Sequence, residues 1–392
     1  MNRQFFFLPL PRRFLARLVP IAALIFFSCA VGAVEYANIP APPDLGVKAY
    51  ILVDFDTGET LAELEPDLQV EPASLTKIMT VYTVADALRR KLIKLEDQTV
   101  VSEHAWKQEG SRMFIDVDKP VTVDELLHGD IIQSGNDASV ALAEHVSGTE
   151  ETFATVMNQH AETLGMKASK FTNSTGLPHP DHVTTARDMA TLARALIHDF
   201  PDIYALFKIP EYRYNGITQK NRNGLLGKDP SVDGIKTGHT ESAGYCLVAS
   251  AQRDGMRLVS VVMGADSDGA RTRASQALLN YGFRFYETRK LYGKGAKVAS
   301  ARVWQGETEQ VDLGVTKDVF VTFPRGRYDE LDAKAELAKQ ITAPVTQGQQ
   351  LGVVQVKLGE APVATVALSA LADVPEGSLV SRLIDRVMMM FE

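Results

Sequence analysis

The 392-residue chain reads as an α+β protein in which a mixed part, layered from helices and a sheet, precedes a smaller part built mostly of strands. Three observations predict this. Between Tyr36 and about Phe285 short apolar strand patterns open and close the segment, with helical periodicities between them. Strands at both ends of such a segment imply one sheet closed from both chain ends, with helices packed on it. Beyond Tyr286 the helical patterns stop, and short apolar runs alternate with Gly, Pro and polar turns.

The elements follow in order. Tyr50–Asp54 is an apolar strand, and Asp56-Thr57-Gly58 turns it into a second. Ser74 to about Arg90 is helical by spacing. Thr122-Val123-Asp124-Glu125 is a capping box ahead of Leu126 and Leu127. Thr185, with Asp188, caps a helix through Ile197. Gly244–Ala251 and Met256–Gly264 flank an Arg253-Asp254-Gly255 turn and predict a buried hairpin. Ser275–Phe285 returns to helix. Val303, Val311, Val319–Phe323 and Gly352–Val356 mark strands of the second part, which carries no cluster of His, Cys or paired carboxylates and reads as a spacer or docking unit. The expected organisation is a leader at 1–33, a layered part at 34–285, a β-rich part at 286–375 and a terminal helix at 376–392.

Both ends carry addressing signals. Arg3, Arg12, Arg13 and Arg17 precede an apolar run, Leu18 to Ala33, that closes on Val31-Gly32-Ala33; this is the form of a cleaved export signal, the alternative being a retained membrane span. Loss of those four arginines takes the formal net charge from −8 to −12. So acidic a body is a poor partner for nucleic acid. Cys29 leaves with the leader, so Cys246 remains alone and no internal disulfide is available. At the other end Val380, Leu383, Ile384, Val387, Met388 and Phe391 form one apolar stripe after a Pro/Gly break. That length suits a helix lying in a membrane surface rather than crossing it, the alternative being a helix packed on the protein's own core.

Three short segments carry chemistry. Ser74 and Lys77 sit three apart at a helix start, where the macrodipole favours an alkoxide and the amine shares the hydroxyl's face. Buried near other cations, such an amine loses its proton and acts as a base. Taken alone, a capping serine with a surface lysine would explain the same letters. Gln133-Ser134-Gly135-Asn136-Asp137 places a hydroxyl and an amide two apart, as a cleft wall or an ordinary turn. Gly234-Ile235-Lys236-Thr237-Gly238-His239 is a strand whose glycines admit a ligand to its backbone, or an edge strand with a protective lysine.

The three segments in this order form the S-x-x-K, S-x-N, K-T-G set. With Glu71-Pro72-Ala73 before Ser74, Asn221-Arg222-Asn223-Gly224-Leu225-Leu226 and Val232-Asp233 before Gly234, the chain resembles the low-molecular-mass penicillin-binding proteins that are serine D-alanyl-D-alanine carboxypeptidases. The resemblance runs nearly the full length. It implies a penicillin-binding/β-lactamase-like fold, Ser74 as nucleophile, Lys77 as base, Ser134 as proton relay and Asn136 as a hold on the peptide amide. Lys236, Thr237, Gly238 and Arg222 would receive the substrate's terminal carboxylate, with Arg271 as a further cleft arginine. The backbone N–H groups of Ser74 and His239 would form the oxyanion hole. No cofactor or metal is implied. The expected partners are peptidoglycan pentapeptide stems, β-lactams as covalent inhibitors, and a membrane surface at the periplasmic face of the bacterial inner membrane.

Other readings share some of these residues. A D,D-endopeptidase would use the same set. A class A β-lactamase needs a base in an E-x-x-L-N loop, and Glu162-Thr163-Leu164-Gly165 lies in a helical pattern without the Asn. For a zinc peptidase the one close histidine pair, His179 and His182, reads as a loop turn. The segment Lys107–Arg112, between Trp106 and Met113, is shorter than in the best-known relatives, which leaves the rate of acyl-enzyme breakdown open.

Overall fold

The computed structural model describes residues 39–117 and 119–390; the expected leader and its cleavage site lie outside them. In chain order, β1 (Ala49–Asp54) and β2 (Thr60–Leu64) form a hairpin. A 3₁₀ turn over Ala73–Leu75 then leads into α1 (Thr76–Arg89). Next come β3 (Gln98–Val100), α2 (Glu103–Trp106), β4 (Pro120–Thr122) and α3 (Val123–His128), which runs into a π-helical turn over Gly129–Gln133. The helices α4 (Asn136–Ser147), α5 (Glu150–Leu164), α6 (Ala186–Asp199) and α7 (Pro201–Tyr204) follow. The small hairpin β5 (Glu211–Tyr214) and β6 (Ile217–Lys220) precedes the long strands β7 (Val232–Thr240), β8 (Gly244–Arg253) and β9 (Met256–Ala265). Helix α8 (Asp268–Phe285) ends this part.

The main sheet runs β2-β1-β9-β8-β7 with antiparallel pairs throughout, so the two ends of the segment do meet in one sheet. Period-two alternation gives it two buried faces. Ile51, Val53, Val248, Val259 and Val261 join a core with the residues of α1 and α3 to α6. Tyr50, Leu52, Leu247, Leu258 and Val262 point the other way, against α8. The expected Thr122 capping box is present, with reciprocal bonds to Glu125. The β8–β9 turn places Asp254 and Gly255 at φ 50° and 85°, as a two-residue hairpin turn requires. Helix α8 begins seven residues before the expected Ser275, capped by Ser267. Its first two turns carry Arg271 and Arg273 instead of apolar residues, which hides their periodicity.

From Tyr286 the chain forms β10 (Tyr286–Tyr292), β11 (Lys297–Arg302), β12 (Gln310–Gly314), β13 (Val319–Pro324), β14 (Leu331–Leu337), β15 (Gln350–Leu358) and β16 (Ala361–Ala370). A β10–β13 ribbon accompanies a sheet of order β11-β12-β16-β15-β14 around a separate apolar core. Val303 falls just past β11, its N–H bonded to the carbonyl of Glu309. Buried Asp54 ties the two parts together: its carboxylate accepts from Thr57 and, at 2.6 Å, from Thr288 Oγ1, and both threonines reach Thr322.

The chain closes on α9 (Leu379–Met388), capped by Ser378. Arg382 pairs with Glu376, Asp385 accepts from the Gln305 N–H and Met389 Sδ from Gln305 Nε2, all off the apolar stripe. Leu379, Val380, Leu383, Ile384 and Val387 are each more than half exposed. The described part of the stripe is therefore not packed on the protein's own core; Phe391 lies outside the described residues. No helix among the described residues is long and apolar enough to cross a membrane.

Candidate active site

Ser74 lies in the 3₁₀ turn that feeds α1, so its hydroxyl stands at the positive end of that helix. Ala73 beside it has φ 48°. The turn is backed by Gly176, where a Cβ would fall 1.8 Å from the Ala73 carbonyl oxygen, so no other residue fits. Lys77, one turn further and fully buried, directs Nζ to Ser74 Oγ at 3.4 Å, to Asn136 Oδ1 at 2.7 Å and to the Thr175 carbonyl at 2.6 Å. Burial pushes its pKa down to about 8, against the pull of Asp130 and Asp137; the charge of Arg222 adds to the fall. Desolvation, rather than the neighbouring Lys236, is thus the main reason this amine gives up its proton.

Ser134 ends the π-helical turn in the left-handed region, φ 64° and ψ 39°. Its Oγ is buried with no hydrogen-bond partner among the described residues. A strained, non-glycine backbone that presents an unsatisfied hydroxyl is costly, and such features gather at functional sites. Asn136 opens α4, and besides holding Lys77 it donates Nδ2 to the Glu109 carbonyl at 2.6 Å. Its amide, expected to hold the substrate, is engaged through Oδ1 and through one Nδ2 hydrogen.

The opposite wall is β7. It is the edge of the main sheet, yet Lys236 is buried, which removes the reading as a protective edge lysine. Its pKa is lowered by burial and then by the charge of Lys77. Gly238 packs directly on the Ser74 turn: a Cβ there would lie 3.0 Å from the Pro72 carbonyl and 3.2 Å from the Leu75 nitrogen. That approach brings the backbone at Gly238 and His239 to the serine, while the His239 ring is exposed and lies against Tyr245. Asn221 and Asn223 donate to the carbonyls of Phe207, Ile209 and Gly234, fixing the loop that carries Arg222. Arg222 itself forms no hydrogen bond or ion pair with any described residue. Arg271 differs. It is buried and donates to the carbonyls of Gly238 and Cys246 and to Asp268, so it braces β7, while its Nε is buried without a hydrogen-bond partner among the described residues.

Together these residues enclose a cleft of about 400 Å³ lined by Ser74, Ser134, Asn136, Arg222, Thr237, Gly238, His239 and Arg271, with Gly110 and Ser111 on the near wall. The short segment after Trp106 therefore does reach the cleft. Among the described residues no Asp or Glu lines it. Glu162 is exposed on α5, away from the cleft, and offers no β-lactamase-type base. His182 is buried between Thr76 and Thr172, its pKa lowered to about 4 by burial and by the charges of His179 and Lys77; it supports α1. Among the described residues no group of three His, Cys, Asp or Glu is placed to hold a metal ion.

Two residues of the site escape the sequence reading. Asp130, fully buried, faces both lysines electrostatically, and burial raises its own pKa to about 6. Asp137, fully buried, accepts the N–H groups of Met113, Phe114 and Ile115 and so pins the near wall. The one signal for Asp130 is an acid set in the apolar run Leu126 to Ile132.

A helix-end serine beside a buried amine, facing a cationic strand across a cleft, defines the class: a serine peptidase. Comparison with known proteins gives the same answer. A family model described as D-alanyl-D-alanine carboxypeptidase matches residues 36–267, and the C-terminal domain of penicillin-binding protein 5 matches 286–376. The chain is 40% identical to D-alanyl-D-alanine carboxypeptidase DacA of Escherichia coli K12, over 90% of each chain. It is 43% identical to DacC of the same organism over 89% of each. The crystal structure of penicillin-binding protein 5 from Haemophilus influenzae superposes with a TM-score of 0.84 at 41% identity, covering 86% of this chain and all of that one. The chain belongs to the D-alanyl-D-alanine carboxypeptidase family.

Proposed function

We propose that this enzyme removes the terminal D-alanine from peptidoglycan pentapeptide stems through an acyl-enzyme on Ser74. Neutral Lys77 takes the Ser74 proton as Oγ attacks the carbonyl between the two D-alanines. Backbone N–H groups of Ser74 and His239 receive the oxyanion, a contribution of about 10²–10³ in rate for such donors. The C–N bond then breaks, and Ser134 passes a proton to the departing D-alanine nitrogen. Arg222 and Thr237, with Lys236 behind them, take the free carboxylate that marks the chain end. Asn136 positions Lys77 and meets the incoming peptide amide. Water then releases the shortened stem and restores Ser74. β-Lactams enter by the same acylation step.

One observation carries this reading: among the described residues the cleft holds a buried lysine within hydrogen-bonding reach of Ser74 and an unpaired Arg222, with no carboxylate on its walls. Such a site fits an anionic chain end and activates a serine at the same time.

The addressing signals complete the proposal. Residues 1–33 act as a cleaved export signal, residues 34–285 carry the chemistry, and 286–375 space it from the periplasmic face of the membrane. The exposed apolar stripe of α9 lies in that surface as a peripheral anchor.

The deciding experiment measures D-alanine release from diacetyl-Lys-D-Ala-D-Ala, with intact-protein mass spectrometry after penicillin. Wild type should release D-alanine and gain one penicilloyl adduct; Ser74→Ala should do neither. Release by the Ser74→Ala variant, especially if a chelator stops it, would overturn the serine mechanism. A chain truncated after Ser378 should keep peptide activity and lose vesicle binding, and a mature N-terminus other than Val34 would refute the leader assignment.

A further inference from the structure

We propose that Arg112, framed by the exposed rings of Trp106 and Phe114, is a second anion-binding subsite that selects stems bearing a side-chain carboxylate on the residue preceding D-Ala-D-Ala. The proposal rests on the reading of the cleft given above. If Arg222 and Thr237 take the chain end, the rest of the stem leaves past Asn136 and the near wall. Ser111 forms that wall, its carbonyl accepting the Asn136 N–H at 2.7 Å, and Arg112 is the next residue out.

The local structure holds this arginine ready for an anion. Its Nη2 donates to the Trp106 carbonyl at 2.7 Å. Its Cζ lies 6.0 Å from the Trp106 ring centre and 5.8 Å from that of Phe114. Its one ion-pair partner among the described residues, Asp137, is 3.9 Å from Nε, and Nε is buried without a hydrogen bond. Asp137 is already occupied by the N–H groups of Met113, Phe114, Ile115 and Ala138. A purely structural arginine would close on that carboxylate; this one stops short and leaves Nη1 without a partner among the described residues.

Phe114 supplies the independent observation. It has φ 68°, a conformation rarely adopted by a bulky side chain. The Asp137 contacts hold it there, and the residue is 43% exposed, beside a Trp106 that is 40% exposed. Strain that turns an aromatic ring out of the core, next to a cation and beside the cleft, builds a recognition surface and not a packing one. An arginine flanked by ring faces is poorly hydrated and accepts a carboxylate in preference to a neutral amide.

The test compares kcat/KM for D-alanine release from two acetylated tripeptides, aminoadipyl-D-Ala-D-Ala and its side-chain carboxamide, which differ by one charge. A charge-assisted hydrogen bond at a partly exposed site predicts about a tenfold preference for the acid. The ratio should fall to about one in Arg112→Met, stay partly intact in Arg112→Lys, and decline with added salt. Penicillin acylation of Ser74 in each variant reports that the cleft is folded. A wild-type ratio near one, or a full ratio in Arg112→Met, overturns the proposal. So does a preference that follows an attached disaccharide and ignores the charge, because the rings would then be a sugar platform. Release from neither peptide would sink the carboxypeptidase reading, and this subsite's role with it.

Discussion

Asp130→Asn should shift the acid limb of the acylation pH profile to lower pH. Asp130 is buried, faces Lys77 and Lys236, and raises the pKa of both. With Lys77 at about 8, roughly a tenth of the enzyme holds the neutral base at pH 7. Each further pH unit downward costs about tenfold in that fraction. Replacing the carboxylate by an amide removes the charge that opposes desolvation, so the Lys77 pKa falls. The gain at pH 7 has a ceiling on the order of tenfold, reached when the base is wholly neutral, and it vanishes above about pH 9. Ser139 Oγ donates to Asp130, and an asparagine carbonyl still accepts that bond. The assay is the second-order rate of acylation by a fluorescent penicillin from about pH 5 to about pH 10 at fixed ionic strength. The position of the limb is the readout, since loss of charge on Lys236 also lowers the plateau. A limb that stays in place, or moves up, would refute Lys77 as the base whose titration controls attack.

Two further outcomes follow from the site's supports. Gly176→Ala, whose Cβ would fall 1.8 Å from the Ala73 carbonyl at φ 84°, should cost at least about 2 kcal/mol in urea melts and abolish acylation. Gly148→Ala, with φ 80° but open space around it, should cost only about 1 kcal/mol and leave acylation intact. His182 keeps a folded pKa of about 4 against an ordinary 6.5. Between those values the unfolded chain holds a proton that the folded one rejects, so stability falls as pH drops through that window, by about 3 kcal/mol in all. His182→Gln should flatten this slope in denaturant melts; an unchanged slope would assign it to other groups.

Much of the site was legible because its residues depend on local geometry. Ser74 and Lys77 meet through the three-residue spacing of one helix, and Gly234 to His239 declare a strand that admits a ligand. What stayed hidden depends on tertiary placement. Asp137 looked like a turn residue until Met113 to Ile115 folded onto it, and Asp130 acquired its role only when β7 brought Lys236 alongside. Arg271 reads as one more cleft cation, and only the fold shows its Nη1 bracing β7 and β8 while Nη2 pairs with Asp268. In the β-rich part, β14 is exposed along nearly all its length and is held by backbone pairing to β15, so no apolar alternation announces it.

Arg222 also gives the cleft a positive charge that no described side chain pairs with. It stands beside buried Lys236 and Arg271, the latter paired with Asp268; Asp130 acts on both buried lysines, and no described Asp or Glu lines the cleft. On the proposed reading, the chain end supplies the missing counterion. Discrimination between a terminus and the interior of a peptide then needs no blocking wall. A mid-chain segment brings no free carboxylate and leaves Arg222 unpaired.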